Sequence, residues 1–305
     1  MKRKITTFVA IVAAAVLAGE ISVRAFGFVD FPVYDVGGEI GYLPKGNQAG
    51  AFLNRNDWYF NNKSMPIAAD WSPALRPSIL LIGNSVVMGG NPYRQQEKLA
   101  PRIQKLLGAS PVVWPIAAGG WTQVNQIAYL DKHPEVVASP NYTAWEYMHG
   151  GLGGATPWPG QYVFPSHKPI LATWYVFRRY ILPAIVPIND SELPAIGAPQ
   201  SANVQRFDDA VGTFVARDSR PGRGIIWLYP TAAQLRSSGT PGGWLPERGQ
   251  IESIANKHGL RLVDIAAKPE WNSSLYLPDG VHPTVEGIGV LASILVEEFR
   301  KDGIK

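Results

Sequence analysis

The feature that most constrains this chain is a strand-length apolar run, Pro77-Ser78-Ile79-Leu80-Leu81-Ile82-Gly83-Asn84-Ser85, which stops at a glycine and delivers a serine. A continuous apolar run bounded by Pro and Gly reads as a strand buried on both faces, as in a parallel sheet. Parallel strands need crossover connections and covered faces, so the run points to an α/β architecture. Ligands of open α/β sheets sit beyond the carboxyl ends of such strands, which is where Ser85 falls. A Gly-x-Ser is also an ordinary turn or helix cap, and the stretch by itself leaves both readings open.

The same rhythm continues along the chain. Val86 to Pro92 reads as a Gly-rich loop, and Tyr93 to Leu107 as an amphipathic helix kinked or divided at Pro101. Pro111 to Ile116 is a second strand, ending in Ala117-Ala118-Gly119-Gly120-Trp121-Thr122, and a helix follows from Gln123 to Lys132. Tyr142 to Met148 makes a third strand, with a loop from His149 to Gly154. After residue 200 come a helix from Val204 to Arg217, a strand from Gly224 to Tyr229, a helix from Leu245 to His258, a strand from Leu260 to Ile265 and a last helix from Val285 to Lys301. Strands that end in small-residue loops give an α/β sheet with one ligand edge. Residues 155–200 break the rhythm as an insertion, with an aromatic-basic helix from Ile170 to Val186. This insertion reads either as ordinary packing and surface, or as a lid or a membrane- or glycan-facing surface.

The N-terminus bears on the compartment. Lys2-Arg3-Lys4 precede Ile5 to Gly19, which is apolar apart from two threonines, the layout of a signal sequence or signal anchor. A span ending near Phe28 requires Glu20 and Arg24 to lie at the membrane edge. An uncleaved anchor over residues 1–28, with the remainder on the extracytoplasmic, periplasmic side of the inner membrane, is the expectation; secretion after cleavage is the alternative. Residues 29–76 read as an irregular membrane-proximal segment with short strands at Gly41-Tyr42-Leu43 and Trp58-Tyr59-Phe60, and the main domain as 77–305. Of the formal net charge of +4, those three basic residues supply most, so the basic pI does not predict a nucleic-acid partner. The chain has no cysteine, which excludes disulfides, thiolate nucleophiles and Cys-based zinc sites.

A serine hydroxyl needs a base within hydrogen-bond reach and a third group to orient that base. Of the 5 histidines, His149 and His282 have an acid three residues before them, but Glu146 falls within an expected strand, and only Asp279-Gly280-Val281-His282 carries both partners in one loop. The same pair can merely cap the helix that starts near Thr284.

With Gly83-Asn84-Ser85 first, a glycine pair at Gly119-Gly120 second and Asp279-Gly280-Val281-His282 last, residues 77–302 resemble the SGNH/GDSL hydrolase superfamily of esterases and acyl-transferring enzymes. The resemblance implies a three-layer α/β/α, flavodoxin-like sandwich with a mainly parallel sheet. It implies Ser85, His282 and Asp279 as a catalytic triad, and the Ser85 and Gly120 N–H groups as an oxyanion hole. Two positions depart from the family pattern. Asn84 stands where aspartate is usual, and Glu146-Tyr147-Met148-His149-Gly150 lacks the asparagine of the family's third block, leaving His149 as a candidate third donor. Asn84, Trp121 and Glu146 are expected at the substrate. Val87 stands where the α/β-hydrolase Gly-x-Ser-x-Gly elbow needs a glycine, and no Gly-x-Gly-x-x-Gly or Walker pattern supports a nucleotide binder.

The expected activity is cofactor-independent ester hydrolysis or O-acyl transfer on an acylated small molecule or extracytoplasmic polysaccharide. A transferase would also need a partner that donates the acyl group, such as a membrane-bound protein. The alternative is a glycan-binding or assembly factor that kept the fold and lost full activity.

Overall fold

The computed structural model describes residues 2–186, 197–215, 224–237 and 243–304. An N-terminal helix, α1 (Lys2–Ala25), leads into two antiparallel hairpins. These are β1 (Tyr34–Val36) with β2 (Tyr42–Pro44), and β3 (Gln48–Phe52) with β4 (Asn56–Phe60). The short strands expected at Gly41-Tyr42-Leu43 and Trp58-Tyr59-Phe60 are β2 and β4, each paired with a strand, β1 or β3, that the sequence does not announce, and the Tyr34, Tyr42, Trp58, Phe60 and Met65 side chains join the main core. Alternation is hard to recognise in strands of three to five residues among Gly, Pro and Asn.

The main sheet contains β5 (Ser78–Gly83), β6 (Val112–Ala117), β7 (Tyr142–Tyr147), β8 (Gly224–Leu228) and β9 (Arg261–Asp264). All are parallel, in the spatial order β6-β5-β7-β8-β9. Every residue of β5, β7 and β8 is buried, which is why β5 and β8 read as apolar runs, while β7 carries Thr143 and Glu146 into the interior. With β5 counted as first, the order is 2-1-3-4-5, the doubly wound flavodoxin-like arrangement. The three-layer α/β/α sandwich expected from the sequence is the observed fold.

Helices α2 (Ser85–Met88), α3 (Leu99–Leu107), α4 (Gln123–Lys132), α5 (Pro134–Val137), α6 (Ala172–Val176), α7 (Leu182–Ile185), α8 (Ser201–Val215), α9 (Ala232–Ser237), α10 (Arg248–Lys257) and α11 (Val285–Lys301) complete the described chain. Helix α3 packs on α11, while α8 packs on α4 and α10. Pro101 falls in the first turn of α3, where a missing N–H costs nothing, so the expected division leaves a short 3₁₀ turn at Gln95–Glu97 and then α3. Residues 245–247 precede α10 instead of belonging to it. The helix expected over Ile170 to Val186 is two short α-helices joined by a π-helical turn, Phe177–Ile181. Pro183, which has no N–H to donate back to the preceding turn, ends that turn. The expected continuations over 187–196 and 216–217 lie outside the described residues.

The order of the sheet fixes where a site can form. The connection from β5 runs to one side and the next connection crosses to the other, so loops part above β5 and β7 at their carboxyl ends. Gly83-Asn84-Ser85, Gly119-Gly120 and Met148-His149 all emerge at that edge.

Candidate active site

Ser85 is held by a turn that admits one residue type before it. A Cβ on Gly83 would stand 2.3 Å from Glu146 Oε2 and 2.3 Å from Val87 Cγ2. Asn84 then caps α2, its side-chain oxygen accepting from the Val86 N–H at 2.9 Å, a local hydrogen bond made without a charge. Of the loop expected over Val86 to Pro92, residues 86–88 belong instead to this helical turn, of which Ser85 is the first residue, and 89–92 are loop.

The loop opposite carries His282 and Asp279. Tyr229 donates its hydroxyl to Val281 O at 2.9 Å, Tyr93 donates to Pro283 O at 2.6 Å, and the Ala232 N–H donates to Gly280 O at 2.8 Å. Three separate elements thus fix the loop. His282 Nε2 lies 2.8 Å from Ser85 Oγ, and His282 Nδ1 lies 2.8 Å from Asp279 Oδ2, a chain spanning 197 residues of sequence. The other Asp279 oxygen accepts from the Val281 and His282 N–H groups at 2.8 and 2.9 Å. Burial opposes ionisation of Asp279, but these three hydrogen bonds outweigh it and hold the carboxyl below the usual aspartate range. An ionised Asp279 only accepts, so it places the proton on His282 Nδ1 and leaves Nε2 to accept from the Ser85 hydroxyl. That arrangement can abstract a proton from Ser85 as its oxygen attacks an electrophilic carbon.

Ser85 opens on a cavity of about 440 Å³. Asn84, Gly120, Trp121, Gln123, His149 and Thr231 are among its walls. Gly120 has φ +74°, a left-handed conformation that a side chain disfavours. Neither the Ser85 nor the Gly120 N–H has an acceptor among the described residues. Trp121 contributes to the wall but is mostly core, 3% exposed, with Nε1–H donating to Tyr42 O at 2.9 Å. His149 also lines the cavity, and its Nδ1 lies 2.9 Å from Glu247 Oε2. Glu247 accepts as well from the Gly150 N–H at 2.6 Å and from the Tyr147 hydroxyl at 3.2 Å. Glu247 went unnoticed in the sequence because it lies 98 residues from His149 and no spacing rule connects them.

Glu146, expected beside the substrate, is not in the cavity wall. It is fully buried beneath the nucleophile turn, where Oε2 accepts from the Asn84 N–H at 2.7 Å and Oε1 has no partner among the described residues. Its place on β7 explains this, since every side chain of that strand is packed inside the sandwich. Burial pushes its pKa up to about 8, the Asn84 N–H only partly opposing this, so the carboxyl is protonated at neutral pH. The unfolded chain ionises this group near 4.5 while the folded chain holds the proton up to about 8. Stability is therefore lost as pH rises across that window. Relative to Glu146→Gln, which keeps an acceptor for Asn84, the wild type should weaken by a few kcal/mol between pH 4.5 and 8, with no further divergence above it. Urea unfolding of both proteins across this range measures the difference.

Among the described residues no group of three or more His, Asp or Glu side chains is placed to hold a metal ion. No family model and no curated protein matches the sequence. Solved structures do align with it. A lipase/acylhydrolase from Enterococcus faecalis is 14% identical with a TM-score of 0.45, covering 74% of this chain and 96% of its own. A carbohydrate acetylesterase family member from Sinorhizobium meliloti is 14% identical with a TM-score of 0.42, covering 74% and 98%. A salicylyl-acyltransferase from a tetracycline biosynthetic pathway is 13% identical with a TM-score of 0.40, covering 77% of this chain and 57% of its own.

Proposed function

We propose that the protein is a serine-dependent esterase or O-acyltransferase, and that its substrate is an ester-linked acyl group, most simply acetyl, on an extracytoplasmic carbohydrate. The observation that carries this reading is the unbroken hydrogen-bond chain from Asp279 through His282 to Ser85 at the mouth of the cavity. Ser85 Oγ attacks the ester carbonyl as its proton passes to His282 Nε2. The tetrahedral oxyanion is received by the Ser85 and Gly120 N–H groups, and the departing alcohol takes the proton from His282. The acyl-serine then passes its acyl group to water or to a sugar hydroxyl, with His282 deprotonating the acceptor.

His149 replaces the missing asparagine in this reading. Held by Glu247 through Nδ1 at the cavity wall, its imidazole is the third donor offered to the oxyanion. Replacing it with alanine should lower kcat by about 10²-fold with little change in KM, because the contact forms only in the transition state. An unchanged kcat removes His149 from the reaction.

The carbohydrate assignment is supported by the size of the cavity on which Ser85 opens. Extracytoplasmic placement is supported by α1, whose segment Ile5–Ala25 has mean hydropathy 2.0 and no buried residues in the window that defines it. The test is release of acetate from O-acetylated polysaccharides, run with and without an acceptor sugar. Acetate without acceptor indicates a hydrolase, and transfer only with acceptor an acyltransferase. No turnover of any acetyl ester would leave the fold to serve as a glycan-binding module.

A further inference from the structure

The insertion between β7 and α8 exposes a run of large apolar side chains that the core does not use. Ile170 is 88% exposed, Ile185 69%, Leu171 57% and Trp174 53%, with Ile181 and Val186 both at 47%. Soluble monomers rarely leave so much contiguous apolar surface in water. The basic residues of this stretch stand among aromatic rings, Arg178 over Tyr162 and Arg179 over Tyr180.

The same element is fastened to the end of α1. Glu20 accepts from the Ala172 and Thr173 N–H groups at 2.9 and 3.0 Å, which supplies acceptors for the first turn of α6. Arg24 pairs with Glu20 and donates to Pro169 O and Ile170 O at 3.0 and 2.9 Å. The two charges that interrupt the apolar N-terminus are therefore the clamp that holds the insertion. Val23 packs on the small cluster of Val29, Phe31, Ala172 and Tyr175.

We infer that residues 170–186 form a foot that rests in the outer lipid layer beside α1. This rests on the reading of α1 as a membrane span. The 21 residues of Ile5–Ala25 rise about 31 Å, close to the thickness of a bilayer's hydrocarbon. The clamp residues Glu20 and Arg24 lie within the last two turns, so the insertion meets α1 within about 9 Å of the span's outer end. That is the depth at which interfacial amphipathic helices bury their apolar faces. The aromatic and arginine side chains are of the kinds that favour the headgroup level and its phosphates. The foot, with the α1 span, would fix the orientation of the domain on the membrane and not only its tether.

The cysteine-free chain makes the test direct, because each introduced cysteine is the sole labelling site. The full chain carrying Ile170→Cys, Ile181→Cys, Val12→Cys or Leu106→Cys, each at an exposed position, is labelled with a polarity-sensitive fluorophore and reconstituted in phosphatidylcholine–phosphatidylglycerol vesicles. The labels at 170 and 181 should be blue-shifted, quenched by shallow spin-labelled lipid and shielded from aqueous iodide, while the label at 106 stays water-exposed. Quenching at position 12 with none at 170 and 181 overturns the foot and leaves the span intact. Shielding of 170 and 181 from iodide without quenching by lipid assigns the face to a second protein chain, and also overturns it. Absence of lipid quenching at position 12 removes the span itself, and the foot with it.

Discussion

Ser85→Ala is expected to lower kcat toward an activated acetyl ester on the order of 10⁴- to 10⁶-fold, with a KM close to that of the wild type. The nucleophile is irreplaceable in the proposed sequence, because no other hydroxyl is seen to bond His282 Nε2. The fold should not register the change. Ser85 Oγ bonds only His282 among the described residues, and the cap on α2 is made by Asn84. The stability change should stay within about 1 kcal/mol, the usual worth of one hydrogen bond. Equal turnover by the variant and the wild type would show that any esterase activity arises elsewhere.

Asp279→Asn should lower kcat by about 10⁴-fold even though it preserves the shape of the loop. The amide oxygen can still accept from the Val281 and His282 N–H groups, but the amide nitrogen now faces His282 Nδ1 as a donor. The imidazole must then carry its proton on Nε2, where it faces Ser85 as a donor and cannot act as a base. The wild-type carboxyl, held below the usual aspartate range by its three hydrogen bonds, stays ionised through mildly acidic conditions. The acidic limb of the wild-type rate profile should therefore not follow Asp279. A variant that retained most of its activity would show that His282 does not need this partner.

Much of the fold is legible in the sequence where one periodicity acts without interference. Gln123–Lys132 and Val285–Lys301 have the bounds that their apolar spacing predicts, and β5 is the apolar run itself. In residues 34–60 the strands at 42–44 and 56–60 are legible but their partners β1 and β3 are not, because strands of three to five residues carry too few alternations to register, yet the aromatic side chains of these hairpins enter the main core. Helix α9 is six residues long and gave no periodic signal.

The site divides in the same way. Ser85 and Gly120 are marked by local blocks at strand ends, and Asp279 and His282 by a local block in the loop before α11, whereas Glu247 reaches His149 only through tertiary folding. Glu146 misled because a carboxylate near a strand end suggests chemistry at a surface. The sandwich buries it instead under the turn that presents Ser85.

The most direct test of the central claim is covalent trapping of Ser85. The intact protein is incubated with a serine-reactive fluorophosphonate and the modified residue is located by peptide mass spectrometry. The hydrogen-bond chain predicts a single adduct on Ser85, lost in Ser85→Ala and strongly slowed in His282→Ala. No adduct under conditions in which the protein is folded, or an adduct on a different serine, would contradict it.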